Sequence, residues 1–200
     1  MMLVETTPVP ESAVPVAQLK DHLRLGSGFA DDDVQDGLLA GHLRAAMGAI
    51  EARTGKILIA RQFGWTLSAW RDATAQPLPV APVTEVTEVV LTAADGAETE
   101  VPQARWMLEQ DQHRPYLMPL GAMLPTVPRG GTVRIALQAG YGPLWSDLPA
   151  DLAQAVIMLA AHYYENRHSV AQEVPGLPAP VVALIEGHRS LRLFMGGGYA

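Results

Sequence analysis

The chain has 200 residues, a formal charge of −7, and 48% hydrophobic against 18% charged residues. That balance supports one compact domain and excludes wholesale disorder, while the acidic excess excludes a protein whose main task is gripping phosphate backbones. With no cysteine, a disulfide framework and a cysteine-based zinc site are excluded as well.

The opening Met1-Met2-Leu3-Val4-Glu5 lacks the basic and apolar segments of a signal peptide. The longest apolar run, residues 155–161, is about a third of the ~20 residues that a bilayer span needs. The expectation is a soluble chain made in the cytoplasm, without membrane contact. Residues 1–14 contain Thr7-Pro8-Val9-Pro10 and predict an extended arm, because proline fixes φ and disfavours helix in the residue before it. A short helix follows over 15–25, with Val16, Leu19 and Leu23 on one face and Gly26 as its stop.

Asp31-Asp32-Asp33 announces a second helix over 32–54, one aspartate capping free N–H groups and the others facing the positive end of the dipole. Val34, Leu38, Leu39, Leu43, Met47 and Ile50 recur at helical spacing, and Gly55 is a natural stop. From there the pattern changes. Phe63, Trp65, Leu67 and Ala69 alternate with polar or small residues, the period of a half-buried strand. Residues 85–92 read as a β-branched strand, and Asp95-Gly96 turns it into 98–101. A strand through Trp106 and a stronger one over 132–137 are expected, with 114–131, rich in proline and glycine, as a long loop between them.

Helix resumes at Pro149. Leu152, Ala155, Val156, Leu159 and Tyr163 line one face, and Ile157, Met158, Ala161 and Tyr164 make the opposite face apolar too. Such a helix belongs either at the centre of the core or in a subunit interface. A last helix is expected over 181–193, then a flexible tail, 194–200, carrying Gly196-Gly197-Gly198. The fold class is α+β, mainly α: a four-helix core with a β-rich insertion at about 57–140, between helices 2 and 3.

No catalytic constellation emerges. The Asp31–Asp33 run lacks the spacing of a calcium loop and reads more simply as a cap. His22, His42, His113 and His188 have no acidic or histidine partner at useful spacing, and His162 and His168 point to different sides of a helix. There is no H-E-x-x-H, G-x-S-x-G or P-loop pattern. Neither a metal nor a cofactor is expected. The candidates that remain are partner contacts. Tyr164, Glu165 and Arg167 end the third helix with residue types that either solvate a helix end or meet a neighbour. Arg189 and Arg192 sit on the last helix, and Leu193, Phe194, Met195 and Tyr199 could fold onto a partner surface.

Taken in order, several segments resemble the head–tail connector family of tailed phages and gene transfer agents. They are Leu19-Lys20-Asp21-His22-Leu23-Arg24-Leu25, Ile50-Glu51-Ala52-Arg53-Thr54-Gly55 (the most telling), and Leu78-Pro79-Val80-Ala81-Pro82-Val83. Ala139-Gly140-Tyr141-Gly142, Leu148-Pro149-Ala150-Asp151-Leu152 and Tyr163-Tyr164-Glu165-Asn166-Arg167 complete the series. The proline-rich stretch 118–128 and the glycine tail are less typical of the family. The resemblance implies a non-enzymatic adaptor, a connector domain over 15–193 forming a twelvefold ring under the portal protein. It would meet a tail-completion or stopper protein below, with DNA passing through the lumen unbound at the head–tail junction. Three alternatives stay open: a metal-dependent hydrolase built on the Asp31–Asp33 cluster and a histidine, a stopper or tail-terminator protein of the same particle, and a host-side binding module.

Overall fold

A computed structural model describes residues 2–25, 32–167 and 176–189, with the side chains of 32–34 excepted. Four helices make one half of it: α1 (Val16–His22), α2 (Asp32–Thr54), α3 (Ala150–Glu165) and α4 (Ala179–Ile185). Their core joins Leu19 of α1, Leu39, Leu43, Met47 and Ile50 of α2, and Leu152, Val156 and Leu159 of α3, with Val181 and Ile185 of α4. Of the two placements open to α3, the structure chooses the centre of the core. Its Leu152, Ala155, Val156, Ile157, Leu159, Ala160 and Ala161 are all buried, and it touches each of the other three helices. The alanines let neighbouring backbones come close, and the leucines fill the remaining gaps.

The other half is β. Strand β1 (Met2–Glu5) pairs with β2 (Arg61–Leu67), and the five-stranded antiparallel sheet continues through β8 (Thr132–Ala139) and β4 (Val83–Thr92) to β5 (Glu98–Glu100). A second sheet has the order β3 (Gln76–Pro77), β7 (Tyr116–Pro119), β6 (Trp106–Glu109). Phe63, Trp65 and Leu67 alternate inward from β2, and Val133, Ile135 and Leu137 from β8. Trp106, Leu117 and Leu124 belong to the same core.

Strand β4 meets that core by an irregular route. Its Val83, Val86 and Val89 are three apart, a spacing that would alternate faces in a regular strand. Register shifts between Val83 and Glu85 and between Val86 and Glu88 each absorb one residue, so the three valines stand opposite Ala139, Leu137 and Ile135 on the buried face. The residues left out of the pairing, Thr84 and Thr87, donate their hydroxyls to Gln138 O and Ala136 O at 3.2 and 3.3 Å. Each bulged residue thus finds its own acceptor on the facing strand.

Several expectations are corrected. The fold is α+β with its main β region between α2 and α3, and among the described residues the β part is larger than expected, eight strands in two antiparallel sheets beside the four helices. The 114–131 stretch is not simply a loop: Tyr116–Pro119 forms the middle strand of the small sheet. Within residues 1–14, Met2–Glu5 forms an edge strand on β2 and Glu11–Ala13 a 3₁₀ turn. Helix α1 ends at His22, with Arg24 in the left-handed region at φ 54° rather than a stop at Gly26. The last helix begins earlier, gives way to a 3₁₀ turn over Glu186–His188, and leaves Arg189 extended. Residues 190–200, and with them the expected tail, lie outside the described residues.

Candidate assembly site

Three of the stretches that carry the family resemblance, 50–55, 78–83 and 139–142, meet at the joint between helices and sheets. At the end of α2, Ile50 is buried in the helical core. Glu51 reaches the other way. Its Oε1 accepts from Leu58 N–H at 2.8 Å and from Arg61 Nη1 at 2.9 Å, and its Oε2 accepts from Arg61 Nη2 at 2.7 Å. Arg61 Nε lies 3.0 Å from Glu5 Oε2, an ion pair not aligned for a hydrogen bond. The guanidinium also lies 5.3 Å from the centroid of the Phe63 ring. Burial works against the charge on Arg61, but Glu51 and then Glu5 outweigh it and hold the group above its ordinary value. One arginine therefore ties α2, β2 and β1 together.

The rest of the joint is equally determined by its residues. Thr54 Oγ1 donates to Ile50 O at 2.8 Å and accepts from Lys56 N–H at 3.1 Å, and Gly55 ends the helix at φ 72°. Ile57 N–H then bonds Ala81 O at 2.8 Å, next to the cis Ala81–Pro82 bond. The Gly140-Tyr141-Gly142 turn closes the other side: Tyr141 N–H bonds Leu58 O at 3.1 Å, and Ala60 N–H bonds Gly142 O at 2.8 Å. Gly140 sits at φ 133°, where a Cβ would stand 2.4 Å from Ala60 Cα. A Cβ on Gly142 would stand 2.4 Å from an Asp147 carboxylate oxygen.

Lys56, which sequence reasoning did not single out, is fully buried. Its ammonium donates to Gln112 O and sits 3.1 Å from His113 Nδ1. Asp111 organises that turn by accepting from His113 N–H and Arg114 N–H at 2.7 and 2.6 Å. Desolvation lowers the Lys56 pKa, opposed in part by Asp111. No sequence pattern marks this lysine as buried, because its acceptors come from a turn more than fifty residues away.

The candidate partner residues divide between the two ends of α3. At its C-terminal end Arg167 Cζ lies 4.3 Å from the centroid of Tyr164, and Nη1 donates to Tyr164 O at 2.7 Å, capping a free carbonyl. The Tyr164 ring meets His42 edge-on, with centroids 6.2 Å apart. Glu165 is exposed and lines a shallow groove with His22, His162 and Val181. Near the other end, Arg189 pairs with Glu186 at 2.8 Å. The adjacent His188 Nε2 lies 2.6 Å from Asp151 Oδ2, and its Nδ1 lies 3.5 Å from Tyr141 Oη. His188 thus has the acidic partner that sequence spacing hid. Asp151 and Tyr164 are about 20 Å apart at ~1.5 Å per helical residue, so these candidates form two sites. Arg192, Leu193, Phe194, Met195 and Tyr199 lie outside the described residues, as do Asp31 and the side chains of Asp32 and Asp33.

Among the described residues, no three histidine, aspartate or glutamate side chains stand together in a way that could hold a metal. No described helix is long and apolar enough to cross a membrane.

No family profile and no curated protein matches the chain. Solved structures do. A chain in the neck of an empty gene transfer agent particle, computed with C6 symmetry, is 52% identical with a TM-score of 0.89, over 98% of this chain and 99% of that one. A chain in the virion of a native gene transfer agent particle is 53% identical with a TM-score of 0.86, over the same shares. A third, in the neck of a native particle computed with C12 symmetry, is 49% identical with a TM-score of 0.83, again over 98% and 99%. With half the residues identical over the full length and the same fold, this chain belongs to the family of these gene transfer agent neck proteins.

Proposed function

We propose that the chain is the adaptor of a head–tail connector in a gene transfer agent particle. Its unit is a single connector domain over residues 15–193 that assembles as a ring of twelve beneath the portal protein. The ring hands the DNA channel on to a tail-completion or stopper protein. The observation that carries this reading is the full-length match, at 52% identity, to a chain of a gene transfer agent neck. The acidic balance fits a channel wall that repels DNA and leaves it mobile. The protein works by buried interface rather than bond chemistry, and it needs no cofactor.

Portal contact is assigned to the C-terminal residues Leu193, Phe194, Met195 and Tyr199, and contacts with neighbouring elements or copies to Tyr164, Glu165, Arg167, Arg189 and Arg192. Electron microscopy of particles from cells lacking the gene tests the function: separate heads and tails, or emptied heads, are expected, and intact tailed particles would overturn it. Cross-linking in complete particles tests the level in the stack. An adaptor links directly to the portal; links confined to tail-side proteins would make it a stopper instead. Truncation after Arg192 should abolish portal binding while the domain stays folded. Stoichiometric zinc or manganese in the purified chain would favour the hydrolase reading.

A further inference from the structure

Most of the exposed large apolar side chains among the described residues fall into two groups. Met2, Leu3 and Val4 sit on β1; Met107, Leu120 and Met123 sit on β6 and in the loop after β7. The exposure is substantial: 62% for Met2, 57% for Leu120 and 61% for Met123. The second group is continuous. Leu120 N–H bonds Arg105 O at 3.0 Å, at the start of β6, and Met107 stands opposite half-buried Met118 in the ladder.

Strand β1 and Met107 lie on different flanks of the β half. Strand β1 is one edge of the five-stranded sheet and β5 is the other. From β5 the chain runs directly into β6, whose Trp106 Nε1 bonds Val101 O at 3.1 Å, while Gln110 Nε2 bonds Thr84 O beside β4 at 2.8 Å. Met107 therefore belongs to the β4–β5 side, across the sheet from β1, and the patch runs from there to Met123, whose neighbour Leu124 bonds Ala73 O at 2.8 Å. The two edges also differ in chemistry. Glu98-Thr99-Glu100 makes β5 short, exposed and charged, the usual protection against unwanted pairing; β1 has an open edge, three exposed apolar residues and neither lysine nor proline.

A contact repeated around a rotation axis needs two different surfaces on every chain, one meeting the other on the next copy. The related chains belong to necks computed with sixfold and twelvefold symmetry. Resting on the ring proposed above, we infer that β1 of one copy packs Met2 and Val4, which share the strand face away from Trp65, against the Met107, Leu120 and Met123 patch of its neighbour. Methionine suits such a surface because its unbranched side chain adapts to the shape it meets.

The absence of cysteine makes the test clean. Particles are prepared from cells carrying Met2→Cys with Leu120→Cys, or Val4→Cys with Met107→Cys, then oxidised and run without reductant. At least one pair is expected to give a ladder of linked copies, with each single-cysteine variant running as one chain. The variant Leu120→Asp with Met123→Asp should keep its circular dichroism and enter particles at least tenfold less than the parent chain. No ladder from either pair in particles with intact necks, or normal incorporation of the double aspartate variant, would overturn this contact and leave the ring standing. Parent particles whose necks contain no ring of this chain would overturn the ring itself.

Discussion

Glu51 and Arg61 form a two-pronged ion pair, with oxygens and nitrogens 2.9 and 2.7 Å apart, at the point where the helical and β halves join. Both side chains are largely buried, at 12% and 7% exposure. Removing one partner leaves the other charge without compensation, which typically costs about 3–5 kcal/mol. Glu51→Ala should lose stability on that scale, measured by urea denaturation. Arg61→Ala added to it should cost much less than the sum of the single effects. Additive losses would mean that the pair is not coupled.

Asp151 supplies an acid-side pH dependence. Burial raises its pKa, but the hydrogen bond from His188, the Leu152 N–H and the His188 charge outweigh burial, so the folded value lies below the ordinary one. A carboxylate held low contributes stability above its unfolded pKa and loses it as pH falls through the folded value. The gap in stability between the parent chain and Asp151→Asn should be full at pH 7 and shrink below about pH 4. Denaturation curves at pH 7, 4 and 3 measure it, and a gap unchanged across that range would refute the assignment.

Two glycines should respond to alanine with opposite signs. At Gly140 the backbone is at φ 133° and a Cβ would strike Ala60, so Gly140→Ala should destabilise by well over about 1 kcal/mol. At Gly48, inside α2, a Cβ meets nothing within 4 Å, and Gly48→Ala should stabilise the isolated chain by about 0.5–1 kcal/mol. Thermal unfolding of the two variants decides both.

The long helices were legible because burial on one side leaves a 3.6-residue stripe: Leu39, Leu43, Met47 and Ile50 for α2, and Leu152, Val156 and Leu159 for α3. Strands β2 and β8 were legible for the parallel reason, a period of two. Strand β4 was visible as β-branched, but its buried valines recur every three residues, and only pairing with β8 shows that bulges restore them to one face. Strand β7 was hidden by Pro115 and Pro119, which bracket it and made the stretch look like loop. The site was less legible. His188 finds Asp151 across 37 residues, and Lys56 finds the turn at Gln112 across 56.

The sequence by itself determined the order of the elements, the place of the β region between the second and third helices, and the family. Each rests on local periodicity, on turn and cap chemistry, or on short motifs in series. Only the tertiary structure decided that three of those motifs meet at one joint, that α3 is buried by its own chain, and that most of the exposed apolar residues among those described form two groups. These are contacts between residues far apart along the chain. Their free energy comes from burial and charge pairing that exist only once the backbone has closed, and no local pattern encodes which distant partner each residue will meet.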